Sequence, residues 1–282
     1  MSQDSNPLLL AGELPRFEEI QAEHVEPAIR RVLEDQATAL EALEQTLASA
    51  TEAGREPEWA SLVDPLEHIG DALTSVWGVV GHLMGVRNSD ALRTAHEACQ
   101  PEVVKLSMRL GQSVPIFRSL EALRAGTEWG QLDGAQRRIV ETLLRDARLS
   151  GVALEGSEKE RFNEIQLELA ELSTRFSNNV LDSTKAFALT LTDSAEIEGL
   201  PRSLHELAAQ NAREAGDESA TPEAGPWRIT LDYPSFVPFL EHSRRRDLRE
   251  KLYRAYVMRA SSGEFDNRSV LERTLELRGE AA

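Results

Sequence analysis

Histidine, the side chain best suited to metal binding and proton transfer near neutral pH, occurs six times in this sequence. No two of the six stand at metal-ligand spacing: His24, His68, His82, His96, His205 and His242. A HisGlu pair begins at His96 and at His205, but Gln100 and Ala209 stand where the helical zinc motif HExxH requires its second histidine. The sequence therefore predicts no catalytic residue and no metal ligand.

Two smaller features could still carry chemistry. Asp64, His68 and Asp71 share one face of a predicted helix, where they could bind a divalent ion or relay a proton. They lie off the apolar stripe of that helix, so a solvated helix face is the favoured interpretation. Cys99 lies on the apolar stripe of its own helix, which indicates a core thiol rather than a nucleophile.

One run near the C-terminus concentrates basic and aromatic residues. Its members are Arg244, Arg245, Arg246, Arg249, Lys251, Tyr253, Arg254 and Tyr256. Such a run could contact a peptide carboxylate or an RNA backbone. The favoured alternative is pairing within the helix, in which Asp247 and Glu250 supply the counter-charges and the tyrosines pack on neighbouring residues.

The composition narrows the class of protein. The 282 residues are 41% hydrophobic and 28% charged, which is typical of a folded chain, and the formal charge of −17 argues against a general binder of nucleic acid or of an anionic membrane. A single cysteine fits a reducing compartment. The N-terminus lacks the positive charge of a signal peptide, and we expect no segment to approach the roughly 20 apolar residues of a membrane span. These features predict a cytoplasmic protein.

Apolar residues recur at alternating three- and four-residue steps along most of the chain, which predicts a mainly α fold. Helices are expected from about Glu23 to Ala50 and from Glu58 to Met84, joined as a hairpin at Gly54 and Pro57. The heptad-like regularity of the second favours antiparallel pairing, and so a wall of long antiparallel helices. A later helical stripe passes through Pro101, where a kink or an interruption is expected.

The region beyond Gly151 changes in character. A capping box at Ser157 and Glu160 predicts the start of a helix that reaches about Thr184. Its stripe should be buried: Phe162, Ile165, Leu169, Leu172, Phe176 and Val180. Strict alternation then predicts two strands that pair, at 187–191 and 227–231, with a helix begun by Pro201 between them. After Pro234 and Pro238 the spacing predicts a return to helix through Leu240, Leu248, Leu252, Tyr256 and Arg259.

Three regions follow from these patterns. They are an extended arm at 1–22, helical hairpins at 23–151, and a region at 157–282 that contains the long helix, the small two-stranded β element and further helices. A last amphipathic helix starts near Asn267 and runs into the final residue without a stop signal. We therefore expect a chain that has been truncated.

Several short segments identify a family. In order they are NPLL at 6–9, the LeuPro, Phe, Ile and GluHisVal pattern between Leu14 and Pro27, HLMGVRNS at 82–89, RDARLSG at 145–151, STRFSNNVLD at 173–182, TLDYPS at 230–235 and LREKLYRAY at 248–256. With them the chain resembles the oligopeptidase A, thimet oligopeptidase and neurolysin family of zinc metallopeptidases. The resemblance covers essentially the whole chain.

The resemblance implies a division of labour. In such enzymes an N-terminal, mainly helical half faces a C-terminal half across a narrow channel, and the zinc ligands of the HExxH helix lie in the C-terminal half. This chain would then be one wall of the channel, inactive alone, binding no zinc itself, with short peptides and a catalytic half as partners and neither nucleic acid nor a membrane. The substrate-binding residues cannot be named. The alternative is a stand-alone, non-catalytic helical module that binds peptides or partners.

Overall fold

The computed structural model describes residues 6–9 and 14–282. The part of the predicted N-terminal arm at residues 1–5 and 10–13 lies outside the described residues. The chain divides into two compact units, Met1–Ala170 and Glu171–Ala282. Within the arm, Pro7–Leu9 forms a short 3-10 turn whose Leu8 is buried, and a second 3-10 turn at Ala22–His24 leads into the first helix.

The first unit is built from helices. In chain order they are α1 (Val25–Glu52), α2 (Trp59–Val86), α3 (Asp90–Gly111), α4 (Val114–Ala125), α5 (Gly134–Leu149) and the first part of α6 (Gly156–Ala186). Bounds of α1 and α2 agree with the predicted hairpin to within two residues at each end. Two helix termini have typical capping residues: the Ser89 hydroxyl accepts the Leu92 N–H at 3.3 Å at the start of α3, and Gly151 follows α5 with a φ of +80°.

Two apolar clusters show how α1 and α2 pair. The beginning of α1, with Val25, Ile29 and Leu33, meets the end of α2 at Val80 and Leu83, together with α3. The end of α1, from Leu40 to Leu47, meets the beginning of α2, together with α4 and α5. Because opposite ends of the two helices meet, the pairing is antiparallel, as the regular spacing of α2 predicts.

The expectation that no segment approaches a membrane span is wrong for α2. Among the described residues Trp59–Val86 is long enough and apolar enough to cross a membrane by length and composition. The reason is its low content of charged side chains among valine, leucine, alanine and glycine, rather than an unbroken apolar run. Length and composition alone are weak evidence, because core helices of soluble proteins pass the same test.

Pro101 does not interrupt α3, which is continuous from Asp90 to Gly111. Proline at this position removes the N–H that would bond to the carbonyl of Glu97. Both Pro101 and Glu97 are exposed, so water can hydrate that carbonyl. The cost of an interior proline is therefore reduced, and the predicted interruption is absent.

The long helix α6 has the predicted length but differs in two respects. It spans 31 residues, which is roughly 46 Å at 1.5 Å per residue. It begins at Gly156, so Ser157 lies inside its first turn and the predicted capping box is not formed. Its stripe is not uniformly buried either: Ile165 is the only buried residue of the helix, and Phe176 is 40% exposed. Most side chains from Arg161 to Thr184 are half-buried.

The second unit contains the β element. Strands β1 (Ala188–Leu191) and β2 (Trp227–Thr230) pair antiparallel, with Leu189 opposite Ile229 and Leu191 opposite Trp227, as the alternation predicts. These four inward side chains form a core with three helices, α7 (Arg202–Glu214), α8 (Tyr233–His242) and α9 (Arg246–Val257). Helix α10 (Arg268–Ala281) follows, one residue from the predicted start.

The helical stretch predicted after Pro234 and Pro238 is divided into two helices. Helix α8 begins earlier, at Tyr233, and the chain leaves helical geometry at Ser243 before α9 begins at Arg246. The break is stabilised by partners that are distant in sequence: the N–H of Arg244 bonds to the carbonyl of Glu198 at 3.2 Å. The hydroxyl of Ser243 accepts the N–H of Arg245 at 3.2 Å.

Candidate functional site

The three residues Asp64, His68 and Asp71 do not form a metal site. Among the residues that the structure describes, no group of three or more His, Cys, Asp or Glu side chains could hold a metal ion. The Nδ1 atom of His68 lies 2.6 Å from the backbone carbonyl oxygen of Asp64, so this nitrogen carries the proton and donates it within the helix. His68 and Asp71 are exposed, as predicted for a solvated helix face.

His68 and Asp71 nevertheless line a groove of about 600 Å³ in the first unit. The apolar part of its lining consists of side chains from the N-terminal turns, α1 and α2: Pro7, Leu8, Leu14, Pro15, Ile20, Val32, Val76 and Val79. Asp35, which pairs with Arg31 at 2.9 Å, contributes a second carboxylate. An apolar lining with acidic groups suits a ligand that carries an apolar side chain beside a positive charge.

The basic and aromatic run behaves mostly as the favoured interpretation predicts. Arg245 pairs with Asp247 at 2.7 Å and Arg254 pairs with Glu250 at 2.8 Å, while Arg244 pairs outside the helix with Glu198. The Arg245 guanidinium hydrogen-bonds to the Asp247 carboxylate, which lowers the pKa of that carboxyl group. These arginines are therefore committed to partners within the protein.

The two tyrosines of the same run differ in how far they pack on neighbouring residues. Tyr256 stacks on Phe236 with ring centroids 4.1 Å apart, and the guanidinium of Arg259 lies 3.6 Å from the centroid of the same ring. Packing on neighbours is therefore confirmed for Tyr256. Tyr253, in contrast, is 54% exposed.

Cys99 is a core thiol, as its position on the stripe predicts. Its side chain is 1% exposed within the cluster formed by α1, α2 and α3. Burial, together with the charge of Glu26, raises the pKa of the Cys99 thiol to about 11. A buried thiol of this kind is almost entirely protonated at neutral pH, so it is a poor nucleophile.

His96 is a buried histidine for which the sequence gives no role. It is 8% exposed, its ring stacks on Trp77 with centroids 4.5 Å apart, and its Nδ1 has no hydrogen-bond partner among the described residues. Burial lowers the pKa of His96, because the charged form loses its hydration. The neutral imidazole is therefore the form that the fold accommodates.

We expect the stability of the first unit to fall as the pH drops through the pKa of an unfolded histidine. The pKa of His96 is lower in the folded state, so the unfolded state binds the proton more tightly. Stability is complete above the unfolded pKa of about 6.5 and declines below it until the folded pKa is reached. Urea unfolding between about pH 7.5 and pH 5 would measure this decline.

The variant His96→Phe keeps a ring against Trp77 but cannot be protonated, so its stability should depend less on pH over the same range. His82→Gln changes an exposed histidine and serves as the control. An equal pH dependence in the wild type and in His96→Phe would contradict the assignment to His96.

The polar residues near the C-terminal end of α6, among them Asn179 and Ser183 and here called its polar ending, have a structural role. Asn179 donates its side-chain N–H to Oδ1 of Asn267 at 2.8 Å, and Asn267 donates to the carbonyl of Phe176 at 3.0 Å. The hydroxyl of Ser183 accepts the N–H of Ala260 at 3.0 Å. These contacts attach the segment Ala260–Asn267, which leads into α10, to the C-terminal part of α6.

Ala260 shows why this attachment needs specific polar groups. Its φ is +48°, in the left-handed region that side-chain-bearing residues rarely adopt. Its N–H bonds to Ser183, and its carbonyl accepts the N–H of Asn267 at 2.8 Å. Both backbone groups are therefore satisfied in a conformation that would otherwise be unfavourable.

The second unit also exposes large apolar side chains. They are Phe176, Tyr233, Tyr253, Val257, Met258, Leu271 and Leu275. Leu271 and Leu275 are 50% and 60% exposed and lie one turn apart on α10. Adjacent exposed leucines on one helix form an apolar surface that another protein segment could cover.

Comparison with known proteins identifies the class. The family model for the N-terminal domain of neurolysin and thimet oligopeptidase matches residues 29–159. The chain is 47% identical over 278 residues to a probable cytosolic oligopeptidase A of Arabidopsis thaliana, covering 99% of this chain and 38% of that protein. It is 37% identical to the oligopeptidase A of Escherichia coli, covering 99% of this chain and 40% of that protein.

The chain therefore belongs to the thimet oligopeptidase and neurolysin family, in which it corresponds to the N-terminal part of oligopeptidase A-like proteins. The similarity extends more weakly to the dipeptidyl carboxypeptidase of E. coli, at 26% identity over 98% of this chain. The chain spans about two fifths of the length of these relatives. The resemblance inferred from the short segments is thus confirmed.

Proposed function

We propose that this chain is the N-terminal, channel-forming portion of a zinc-dependent metalloendopeptidase of the oligopeptidase A type, which hydrolyses short peptides in the cytosol. The observation that carries the proposal is the identity of 47% to a probable cytosolic oligopeptidase A over 99% of this chain. An organellar oligopeptidase A matches at the same identity, so the cytosolic location rests on the sequence features as well as on this relative.

In this proposal the chain forms one wall of the channel and binds the peptide, and the remaining part of such a protein supplies the catalytic groups. The sequence contains no HExxH motif, so zinc and the group that activates its bound water would belong to that remaining part. Zinc would polarise the scissile carbonyl and lower the pKa of a bound water. This chain would hold the peptide and exclude folded proteins, and alone it would neither bind stoichiometric zinc nor cleave peptides.

Two surfaces fit that role. The groove lined by Leu8, Val32 and Val76 with Asp35 and Asp71 has the mixed apolar and acidic lining that a peptide with a basic residue would contact. The exposed apolar side chains of the second unit, among them Leu271 and Leu275, are candidates for contact with a catalytic half. Burial of such residues in an interface would remove apolar surface from water.

A chimera tests the proposal directly. The matching region of the Arabidopsis cytosolic oligopeptidase A is replaced by this chain, and cleavage of a short quenched fluorescent peptide is measured with and without a zinc chelator. We expect chelator-sensitive cleavage with a kcat/KM within about tenfold of the parent, because the chain supplies the same wall. Zinc content by atomic absorption should be stoichiometric in the chimera and negligible in this chain alone.

Two outcomes would contradict the proposal. A folded, zinc-loaded chimera that cleaves no peptide would show that the chain cannot act as this portion of the enzyme. Chelator-sensitive cleavage by the chain alone would show that it is not the non-catalytic portion. A genomic read past Ala282 adds an independent test: an in-frame HExxH supports the proposal, and an intact stop followed by unrelated sequence supports a stand-alone, non-catalytic module.

A further inference from the structure

An open surface cavity of about 430 Å³ in the first unit has an unusual charge for this protein. It is lined by residues of α1, α3, the start of α4 and α6, among them Lys105, Arg109 and Lys159, with Glu44 as the one carboxylate of the lining. The chain as a whole has 48 acidic and 31 basic residues. The cavity is therefore positively charged, whereas the chain as a whole has a net negative charge.

Half of the lysines in the chain contribute to the positive charge of this cavity. The sequence contains four lysines, Lys105, Lys159, Lys185 and Lys251, so two of the four line this one cavity. Neither Lys105 nor Lys159 has an ion-pair partner in the part of the chain that the structure describes, although carboxylates are in excess. Their positive charges are therefore available to a ligand.

The carboxylate of Glu44 does not neutralise them, because it is already engaged. Arg109 pairs with it at 3.3 Å, and the hydroxyl of Ser113 donates to it at 2.6 Å. The charges of Arg109 and Glu44 compensate each other. The cavity therefore retains the charges of the two lysines.

The buried amide of Gln112 fixes the orientation of a further hydrogen-bond donor in the cavity lining, the side chain of Asn163. Gln112, which is 6% exposed, donates its side-chain N–H groups to the carbonyl of Ser150 at 2.9 Å and to Oδ1 of Asn163 at 2.7 Å. Because the oxygen of Asn163 faces Gln112, its NH₂ group is the end that remains to donate. Gln112 and Asn163 both line the cavity.

We propose that this cavity binds an organic carboxylate with a small apolar body. Two ammonium groups and an amide NH₂ would hold the carboxylate, and Met108, Val114 and Pro115 would contact the apolar body. Phosphate is expected to bind less well. A guanidinium group favours phosphate, but the guanidinium of Arg109 already pairs with Glu44. A free organic acid and the C-terminus of a peptide share this chemistry.

Reductive ¹³C-methylation of the full chain provides a direct test. The reaction labels the four lysines and the N-terminal amine while the positive charges are kept, and Lys→Arg variants assign the signals. We expect 4-methylpentanoate to shift the signals of Lys105 and Lys159, with saturation at a dissociation constant of about 1 mM for so small a ligand. Lys185 and Lys251 should not respond.

The controls separate specific binding from general charge attraction. Neutral 4-methylpentanamide and inorganic phosphate should each bind at least about tenfold more weakly. In unmodified protein, calorimetry should show that Lys105→Gln and Lys159→Gln each weaken 4-methylpentanoate about fivefold, whereas Lys185→Gln and Lys251→Gln leave it unchanged. The peptide N-acetyl-alanyl-leucine tests the source: tighter binding than the free acid indicates a peptide C-terminus.

Three results would overturn the proposal. They are equal shifts of all four lysines, binding of phosphate or of the amide as tight as that of the acid, and affinities that do not change in Lys105→Gln and Lys159→Gln. Failure of the chimera described above would leave this test unaffected, because the cavity lies entirely within the first unit and the test measures binding rather than cleavage.

Discussion

The substitution Asn267→Ala is expected to destabilise the second unit by about 2–3 kcal/mol. Asn267 is 4% exposed, and its side chain bonds both to Asn179 at 2.8 Å and to the carbonyl of Phe176 at 3.0 Å. Alanine would remove both bonds and leave the amide of Asn179 without its partner. Urea unfolding would measure the loss, and hydrogen exchange of the segment Ala260–Asn267 would show where the structure opens.

Asn178→Ala is the matched control. It removes the same kind of side chain one position from Asn179, but Asn178 makes no hydrogen bond among the described residues, so the change should stay within about 0.5 kcal/mol. A double-mutant cycle between Asn179→Ala and Asn267→Ala should give a coupling energy of about 1 kcal/mol. Equal losses in Asn267→Ala and Asn178→Ala would contradict the proposed role of the polar ending.

Helical periodicity predicts α6, but it gives no reason for the polar residues of its ending. The stripe from Phe162 to Val180 follows from spacing alone, whereas Asn179 and Ser183 are required by partners at Asn267 and Ala260, more than 70 positions later in the sequence. The degree to which the stripe is buried could not be predicted from the spacing either. Periodicity shows which face of a helix is apolar, but not how completely other segments cover it.

The break between α8 and α9 has a similar origin. Spacing from Leu240 to Arg259 is compatible with one helix, and no glycine or proline marks a break between His242 and Arg246. The break is stabilised by Glu198, whose carbonyl accepts the N–H of Arg244 and whose side chain pairs with the same arginine. Local patterns predict local elements well, but a partner 46 residues away leaves no local signal.

The positively charged cavity could have been suspected from composition but not located. Four lysines among 282 residues make each lysine conspicuous, yet Lys105 and Lys159 lie on different helices with two others between them. Only the packing of α3 against α6, seen in the bond from Gln112 to Asn163 at 2.7 Å, brings them to one cavity. The groove with His68 and Asp71 likewise depends on the N-terminal turns packing beside α1 and α2.

The substitution Gly199→Ala should destabilise the second unit by about 3–4 kcal/mol, for two separable reasons. The φ of Gly199 is +91°, which is unfavourable for any residue with a side chain. A Cβ at this position would also lie 2.6 Å from the carbonyl oxygen of His242 and 3.1 Å from Cγ of Arg244. The backbone oxygen cannot move away without disturbing the bond between Arg244 and Glu198 that fixes the break between α8 and α9.

Gly216→Ala separates these two causes. Gly216 has a similar φ of +101°, but a Cβ there would meet no atom within 4 Å, so only the conformational cost of about 1–2 kcal/mol remains. Urea unfolding of both variants should therefore show the larger loss for Gly199→Ala. Equal losses in the two variants would contradict the predicted clash between a Cβ at position 199 and the carbonyl oxygen of His242.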